Sequence, residues 1–203
     1  MEQIERVFKN RRGEKIGEYR ESSVMFLLKE IHNEVCICFE VRSSKLRHQP
    51  GDICLPGGRL EVNETPLEAA IRETKEELNI EDKDICYIGE MDYFISPFNT
   101  IIYAFVSKTE KYICNPNEDE VDHIFWVPIK YLMENPPEIY DVTLKHSFKE
   151  NFPFHRIKGE KDYKFSEGKL PQYFYKFNQY TIWGFTAKIV KNFVDKLSNL
   201  IGE

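Results

Sequence analysis

The sequence predicts an α+β fold: one domain over residues 1–203, arranged as an α/β/α sandwich around a mixed β-sheet. Three observations lead there. Compact apolar runs of strand length lie on both sides of one segment with helical apolar spacing, so the order is strands, helix, strands, helix. The strict strand-helix alternation of a doubly wound parallel sheet is missing. The chain also closes on a second amphipathic stretch of helical period.

Taken in order, residues 2–9 suit a short helix, and Gly13 to Glu21 read as a polar connection. Ser23-Val24-Met25-Phe26-Leu27-Leu28 and Val35 to Val41 are apolar runs parted by His32-Asn33-Glu34, the pattern of a hairpin. A loop from Arg42 to Gly58 follows. Pro66 marks the first turn of a helix, with Asn63 or Thr65 as its N-cap and Asn79 near its end. Leu67, Ala70, Ile71, Thr74 and Leu78 recur at helical spacing and form its inward stripe. Strands are expected at 85–88, 91–96, 100–107 and 123–127. These elements make a core over residues 22–134. Residues 135–180 are rich in Pro, Gly, Lys and aromatics without a clear period, and read as an insertion or lid. Over residues 181–198, Ile182, Phe185, Ile189, Phe193 and Leu197 are spaced three and four apart, as in a terminal amphipathic helix.

Composition narrows the chemistry. Hydrophobic residues at 41% and charged residues at 31% are ordinary for a water-soluble globular chain. A net charge of -6 argues against a nucleic-acid partner, since a phosphate backbone is held largely by Lys and Arg. Five cysteines are odd in number and form no CxxC pair, which fits reduced thiols and not a zinc site. Cys36 and Cys38 point the same way along one strand. The N-terminus has no apolar core of a signal segment, no run is long enough to span a membrane, and the C-terminus carries no peroxisomal-type tripeptide. A cytoplasmic location is the resulting expectation, with a homodimer left open.

The informative segment is Arg72-Glu73-Thr74-Lys75-Glu76-Glu77. On a helix, Glu73 lies three residues from Glu76 and four from Glu77, so all three carboxylates share one face. Two carboxylates about 4 Å apart repel by roughly 4 kcal/mol at an effective dielectric near 20. A divalent cation turns that penalty into coordination energy, and Mg2+ favours such oxygen ligands. By themselves the three acids better describe a solvated helix face. Upstream, Arg42, Lys45, Arg47 and His48 form a basic cluster in an acidic chain, and Arg suits bidentate phosphate contacts. Their alternative is structural pairing with local acids. Gly57 and Gly58 allow backbone conformations that a side chain hinders, letting the loop approach a metal or phosphate.

Spacing supplies the context. The pattern Gly58-x5-Glu64-x7-Arg72-Glu73-x2-Glu76-Glu77-x-Asn79-Ile80 resembles the Nudix box, with Thr74 in place of an aliphatic residue and Asn79 in place of a glycine. Asn tolerates the left-handed conformation, so the helix end should survive that change. Arg42-Ser43-x3-Arg47-x3-Gly51-x3-Leu55-Pro56-Gly57-Gly58 is similar to the signature of the coenzyme A pyrophosphatase branch of that family. There a Phe usually stands at Leu55, and Leu-Leu-Thr precedes the arginine where this chain has Cys38-Phe39-Glu40. Pro97-Phe98, Asn117 to Val121, and Ile182-Trp183-Gly184-x-Thr186-Ala187 also look like pieces of the branch.

The resemblance implies a Nudix-type sandwich and a metal-dependent hydrolase of a small-molecule nucleotide substrate. By it, Glu73, Glu76 and Glu77 bind Mg2+ or Mn2+, aided by the Gly58 carbonyl. Glu64 and Arg72 brace the loop and helix. Arg42, Ser43, Arg47, Gly51 and Gly57 lie on the substrate side. Glu120 is an additional ligand or general base, or else a surface acid in an acidic turn. The expected reaction cleaves the diphosphate of coenzyme A or acyl-coenzyme A. Activity on ADP-ribose, NADH or another nucleoside diphosphate derivative is the alternative. A non-catalytic nucleotide sensor is a more distant one, because such proteins tend to lose the metal carboxylates.

Overall fold

The computed structural model describes the backbone of residues 1–201 and side chains through Asn199. An exposed helix, α1 (Glu2–Phe8), precedes a hairpin of β1 (Arg20–Ile31) and β2 (Glu34–Arg42). Short strands β3 (Ile53–Cys54) and β4 (Gly57–Arg59) lead to α2 (Pro66–Leu78). Then come β5 (Cys86–Glu90), β6 (Phe94–Ser96), β7 (Thr100–Lys108), β8 (Val121–Pro128) and α3 (Ile129–Glu134). The central sheet runs β3-β2-β1-β7-β5, with β4 on β1, β6 on β7 and β8 on β2. β1 and β7 pair in parallel over Arg20–Leu28 and Thr100–Lys108, while the hairpin pairs antiparallel. The sheet is therefore mixed, as its sequence predicts.

Both faces of the sheet are covered, which explains the unbroken apolar run in β1. Met25 and Leu27 turn to one side, where Cys38, Ala70, Leu78 and Phe105 complete a cluster beneath α2. Phe26, Ile37 and Phe39 turn to the other and pack on Leu132, Val190 and Phe193. There Phe26 and Phe193 stack with ring centroids 4.5 Å apart, a geometry worth more than its buried area alone.

The C-terminal third departs from the aperiodic reading of residues 135–180. It contains β9 (Glu138–Leu144), β10 (Gly168–Phe177) and β11 (Tyr180–Trp183), an antiparallel second sheet in the order β11-β10-β9. β9 is exposed at six consecutive positions, so neither face demands apolar residues and no alternation marks it. The terminal helix, α4 (Gly184–Ile201), starts three residues later than the pattern implies, because Thr181, Ile182 and Trp183 pair with β10. Ile182 is nonetheless fully buried with Ile189 and Phe193, which is why it fitted the helical stripe. All five cysteines are free thiols, with Cys36 and Cys38 buried. Among the described residues no helix is long and apolar enough to cross a membrane. Residues 202–203, part of the C-terminal tripeptide, lie outside the described residues.

Candidate active site

Local sequence chemistry determines where α2 begins and ends. Of the two expected N-caps, Thr65 takes the role: its hydroxyl accepts from the Glu68 N–H at 3.3 Å, and the Glu68 carboxylate accepts from the Thr65 N–H at 2.8 Å. This capping box satisfies two backbone donors reciprocally, with Pro66 preset for the first turn. Glu68 is exposed and serves as the reciprocal partner of this cap. Asn79 ends the helix at φ 50° and ψ 50°, the left-handed conformation expected of it. Thr74 is fully buried, and its hydroxyl donates to the Ala70 carbonyl at 2.6 Å. Thr65→Ala should destabilise the chain by about 1 kcal/mol, seen as a lower urea midpoint at unchanged slope; an unchanged midpoint would remove the cap from the account.

The three glutamates of α2 share a face but not an environment. Glu77 is 5% exposed, whereas the side chain of Glu76 is 55% exposed and that of Glu73 only 18%. Arg72 holds the outer edge. Its guanidinium donates to both Glu64 oxygens at 2.8 and 3.0 Å, to the Arg59 carbonyl at 3.0 Å, and to Glu73 and Glu76 at 2.8 and 3.1 Å. Arg72 in turn holds the Glu64 carboxyl below its usual range. The inner edge is held differently: Glu77 accepts from the Gly57 N–H at 2.8 Å.

That contact explains the glycine pair. Gly57 sits at φ 148°, and a Cβ there would overlap the Ser23 carbonyl. At Gly58 a Cβ would meet the Glu73 carboxylate, so any larger residue there would displace that side chain from its place against the loop.

Electrostatic crowding is concentrated inside. Burial pushes the Glu77 carboxyl up to about 8, the charges of Glu73 and Glu120 push the same way, and the Gly57 N–H opposes them. Glu73 is raised by burial and by Glu76 and Glu120, against the pull of Arg72. Glu120 thus lies close enough for its charge to act on both. It is carried by a turn stitched to two places: Asn117 N–H donates to the Glu77 carbonyl at 2.8 Å, and Ser43 N–H to the Glu120 carbonyl at 2.9 Å.

Sequence reasoning missed Glu40. It is 1% exposed on β2, beside Glu77, and burial followed by the Glu77 charge raises its carboxyl well above the usual range. A signal was available: Cys36, Cys38 and Glu40 fall on one strand face by their period of two, and that face packs under α2. An acid on the buried face of an apolar strand requires a partner.

The upstream basic segment separates. Ser43 is 3% exposed and its hydroxyl donates to the Glu118 carbonyl at 3.0 Å, so it seats the turn bearing Glu120. Lys45 pairs with Asp119 at 2.9 Å, a structural contact with a local acid. Gly51 takes φ 76° in the loop and donates its N–H to the Arg42 carbonyl at 3.0 Å. Arg47 and His48 stand exposed. Arg42 turns inward and lines a cavity of about 370 Å3 whose walls also include Phe98, Trp183 and Thr186. Three short segments, far apart in sequence, thus meet around one space.

Among the described residues no three acidic, cysteine or histidine side chains converge on a single ion position, and Arg72 occupies one oxygen each of Glu73 and Glu76. The donor chemistry nevertheless fits a hard divalent cation. Glu73 and Glu77 are raised by burial and like charge, and Glu40 Oε1 is buried without a hydrogen-bond partner. Additional positive charge would relieve all three.

Comparison with known proteins agrees with this geometry. The NUDIX domain model matches residues 20–147, more than half of the chain. The peroxisomal coenzyme A diphosphatase NUDT7 of Mus musculus is 28% identical over 120 residues, covering 58% of this chain and 50% of that protein. The peroxisomal coenzyme A diphosphatase ndx-8 of Caenorhabditis elegans is 30% identical over 125 residues, covering 57% and 52%. The chain thus spans about half the length of these curated relatives, whose names place them in a different compartment from the expected cytoplasm. A MutT/nudix family protein from Enterococcus faecalis superposes with a TM-score of 0.54 at 15% identity, over 98% of this chain and 70% of the other. That likeness concerns the fold and extends across the second sheet. On the matched model, the braced helix and the glycine loop it packs against, the chain belongs to the NUDIX domain family.

Proposed function

We propose that the chain is a metal-dependent pyrophosphohydrolase that cleaves the diphosphate of coenzyme A or acyl-coenzyme A, giving 3'-phospho-AMP and (acyl-)4'-phosphopantetheine. The observation that carries the reading is the 2.8 Å bond from Gly57 N–H to Glu77, which joins the end of the upstream signature to the carboxylate helix. Arg42, at the start of that signature, lines the cavity next to this junction. The similarity to two coenzyme A diphosphatases supports the substrate class.

In this reading Glu73, Glu76 and Glu77, with the Gly58 carbonyl, hold Mg2+ or Mn2+. A divalent cation there would neutralise charge on the leaving oxygen and lower the pKa of the attacking water. The chain's own residues do the rest. Arg72 and Glu64 keep α2 against its loop, so the carboxylates are positioned before substrate arrives. Gly57 N–H holds Glu77 in place, and Glu40 lies buried beside it. Glu120 completes the acidic edge as an added oxygen ligand or as proton acceptor. Arg42, with Nε buried and unpartnered among the described residues, is placed for phosphate contact. The single domain of residues 1–203 acts in the cytoplasm on this small-molecule nucleotide substrate.

The test is product analysis. Purified chain with Mg2+ or Mn2+ is offered coenzyme A, an acyl-coenzyme A, ADP-ribose, NADH and a dinucleoside polyphosphate, and the products are separated by chromatography. Fastest conversion of a coenzyme A species to 3'-phospho-AMP is expected. Faster turnover of ADP-ribose or NADH would overturn the substrate assignment and leave the bond type standing.

A further inference from the structure

The cavity beside the carboxylate helix is built from two sheets. From the central sheet side come Arg42, Gln49 and Phe98; from the C-terminal third come Gln172 on β10, Trp183 on β11 and Phe185 on α4. Its floor reaches the reacting centre, because Cys54, also in the lining, has its thiol 3.9 Å from Glu40, which faces Glu77. The aromatic surface comes from two directions. Trp183 is 44% exposed and is backed by Phe174, stacked at 6.0 Å. Phe98 is 54% exposed and rests on Phe185 at 6.2 Å, which is itself backed by Phe94 at 5.0 Å. Large aromatic faces left open beside carboxamide side chains suit one kind of ligand. A flat heteroaromatic ring stacks on such faces, and a Gln carboxamide presents a donor and an acceptor that match the amino group and ring nitrogen on one edge of adenine. A thin amide chain such as pantetheine would leave most of that aromatic surface unused.

We propose that this cavity is a purine pocket, and that Gln172 and Trp183, supplied by the second sheet, are specificity-determining residues. The proposal rests on the pyrophosphohydrolase reading and deepens it: the base enters beside Trp183, and the phosphates run past Arg42 toward Glu77. Strands β10 and β11 and the start of α4 then form a wall of the substrate site.

Binding can be read apart from turnover. The chain has two tryptophans, and Trp126 packs with the cluster beneath α2, so Trp126→Phe leaves Trp183 as the sole indole reporter. Titration with adenosine 5'-monophosphate should quench Trp183 fluorescence saturably. Cytidine 5'-monophosphate should bind about tenfold more weakly, and pantetheine should leave the signal unchanged. Calorimetric titration of the unaltered chain should give the same ranking without relying on the variant. Gln172→Leu should weaken the adenosine nucleotide about tenfold and raise KM for coenzyme A at constant kcat. Equal binding of both nucleotides, a response to pantetheine alone, or no response would overturn the pocket assignment. Binding of the adenosine nucleotide by a chain that hydrolyses no diphosphate would sink the enzymatic reading and keep the pocket. Turnover of coenzyme A with KM unmoved by Gln172→Leu and Trp183→Ala would do the reverse.

Discussion

Glu77→Gln should lower turnover by about a thousandfold, roughly 4 kcal/mol of transition-state stabilisation, while making the cation-free chain more resistant to urea. The two effects have one cause. Glu77 is almost fully buried among acids, so ionising it inside the fold is unfavourable unless a cation accompanies it. A glutamine keeps the shape and can still accept from the Gly57 N–H, but offers no charge to a metal. Steady-state rates and urea midpoints in EDTA check both halves together. An unchanged rate would remove Glu77 from the mechanism, and a lower midpoint would show that its charge is stabilising as folded. This opposition of activity and stability is expected where a site is pre-built for a charge it does not itself contain.

The second large effect is on pH dependence. In the fold the Glu77 carboxyl is raised from 4.5 to about 8. A group raised in the fold contributes stability that is fully present below its unfolded value and lost as pH climbs through its folded value. The cation-free chain should therefore weaken between about pH 5 and pH 8.5, by on the order of 5 kcal/mol from this carboxyl if nothing else relaxes. Glu40, raised in the same direction, adds to the slope. A divalent cation binds the ionised form, so Mg2+ should stabilise the chain more strongly as pH rises. Urea midpoints at pH 5.5, 7 and 8.5, each with EDTA and with Mg2+, provide the comparison. A cation-free midpoint that climbs across this range would be incompatible with a neutral buried Glu77. In Glu77→Gln the EDTA slope should flatten, leaving the part due to Glu40.

These expectations depend on features that differ in how plainly the sequence shows them. The limits of α2 are local chemistry: Thr65, Pro66, Glu68 and Asn79 each act within a few residues of where they stand, and so can be read in order along the chain. The Arg72 brace and the shared face of Glu73, Glu76 and Glu77 follow from helical periodicity and motif spacing. The mixed sheet follows from buried apolar runs around that helix. What periodicity could not rank was depth. The three glutamates are equivalent along the helix axis, and only the approach of β2 and the Gly57 loop buries Glu77 while leaving Glu76 in water.

Tertiary structure alone also assigned the polar residues whose partners are far away in sequence. Ser43 spends its hydroxyl on Glu118 and Lys45 pairs with Asp119, contacts separated by more than 70 residues. Glu40 becomes part of the acidic centre because a strand and a helix bring it beside Glu77. The second sheet left no pattern, since β9 is exposed on both faces and its pairing is made by backbone groups common to every residue. By itself the sequence determined the carboxylate helix, its caps, its brace and the layers around it, because those rest on spacing within single elements. The burial that sets Glu77 and Glu40 apart, and the cavity that joins Arg42 to Gln172 and Trp183, arise only when separate elements exclude water from the space between them.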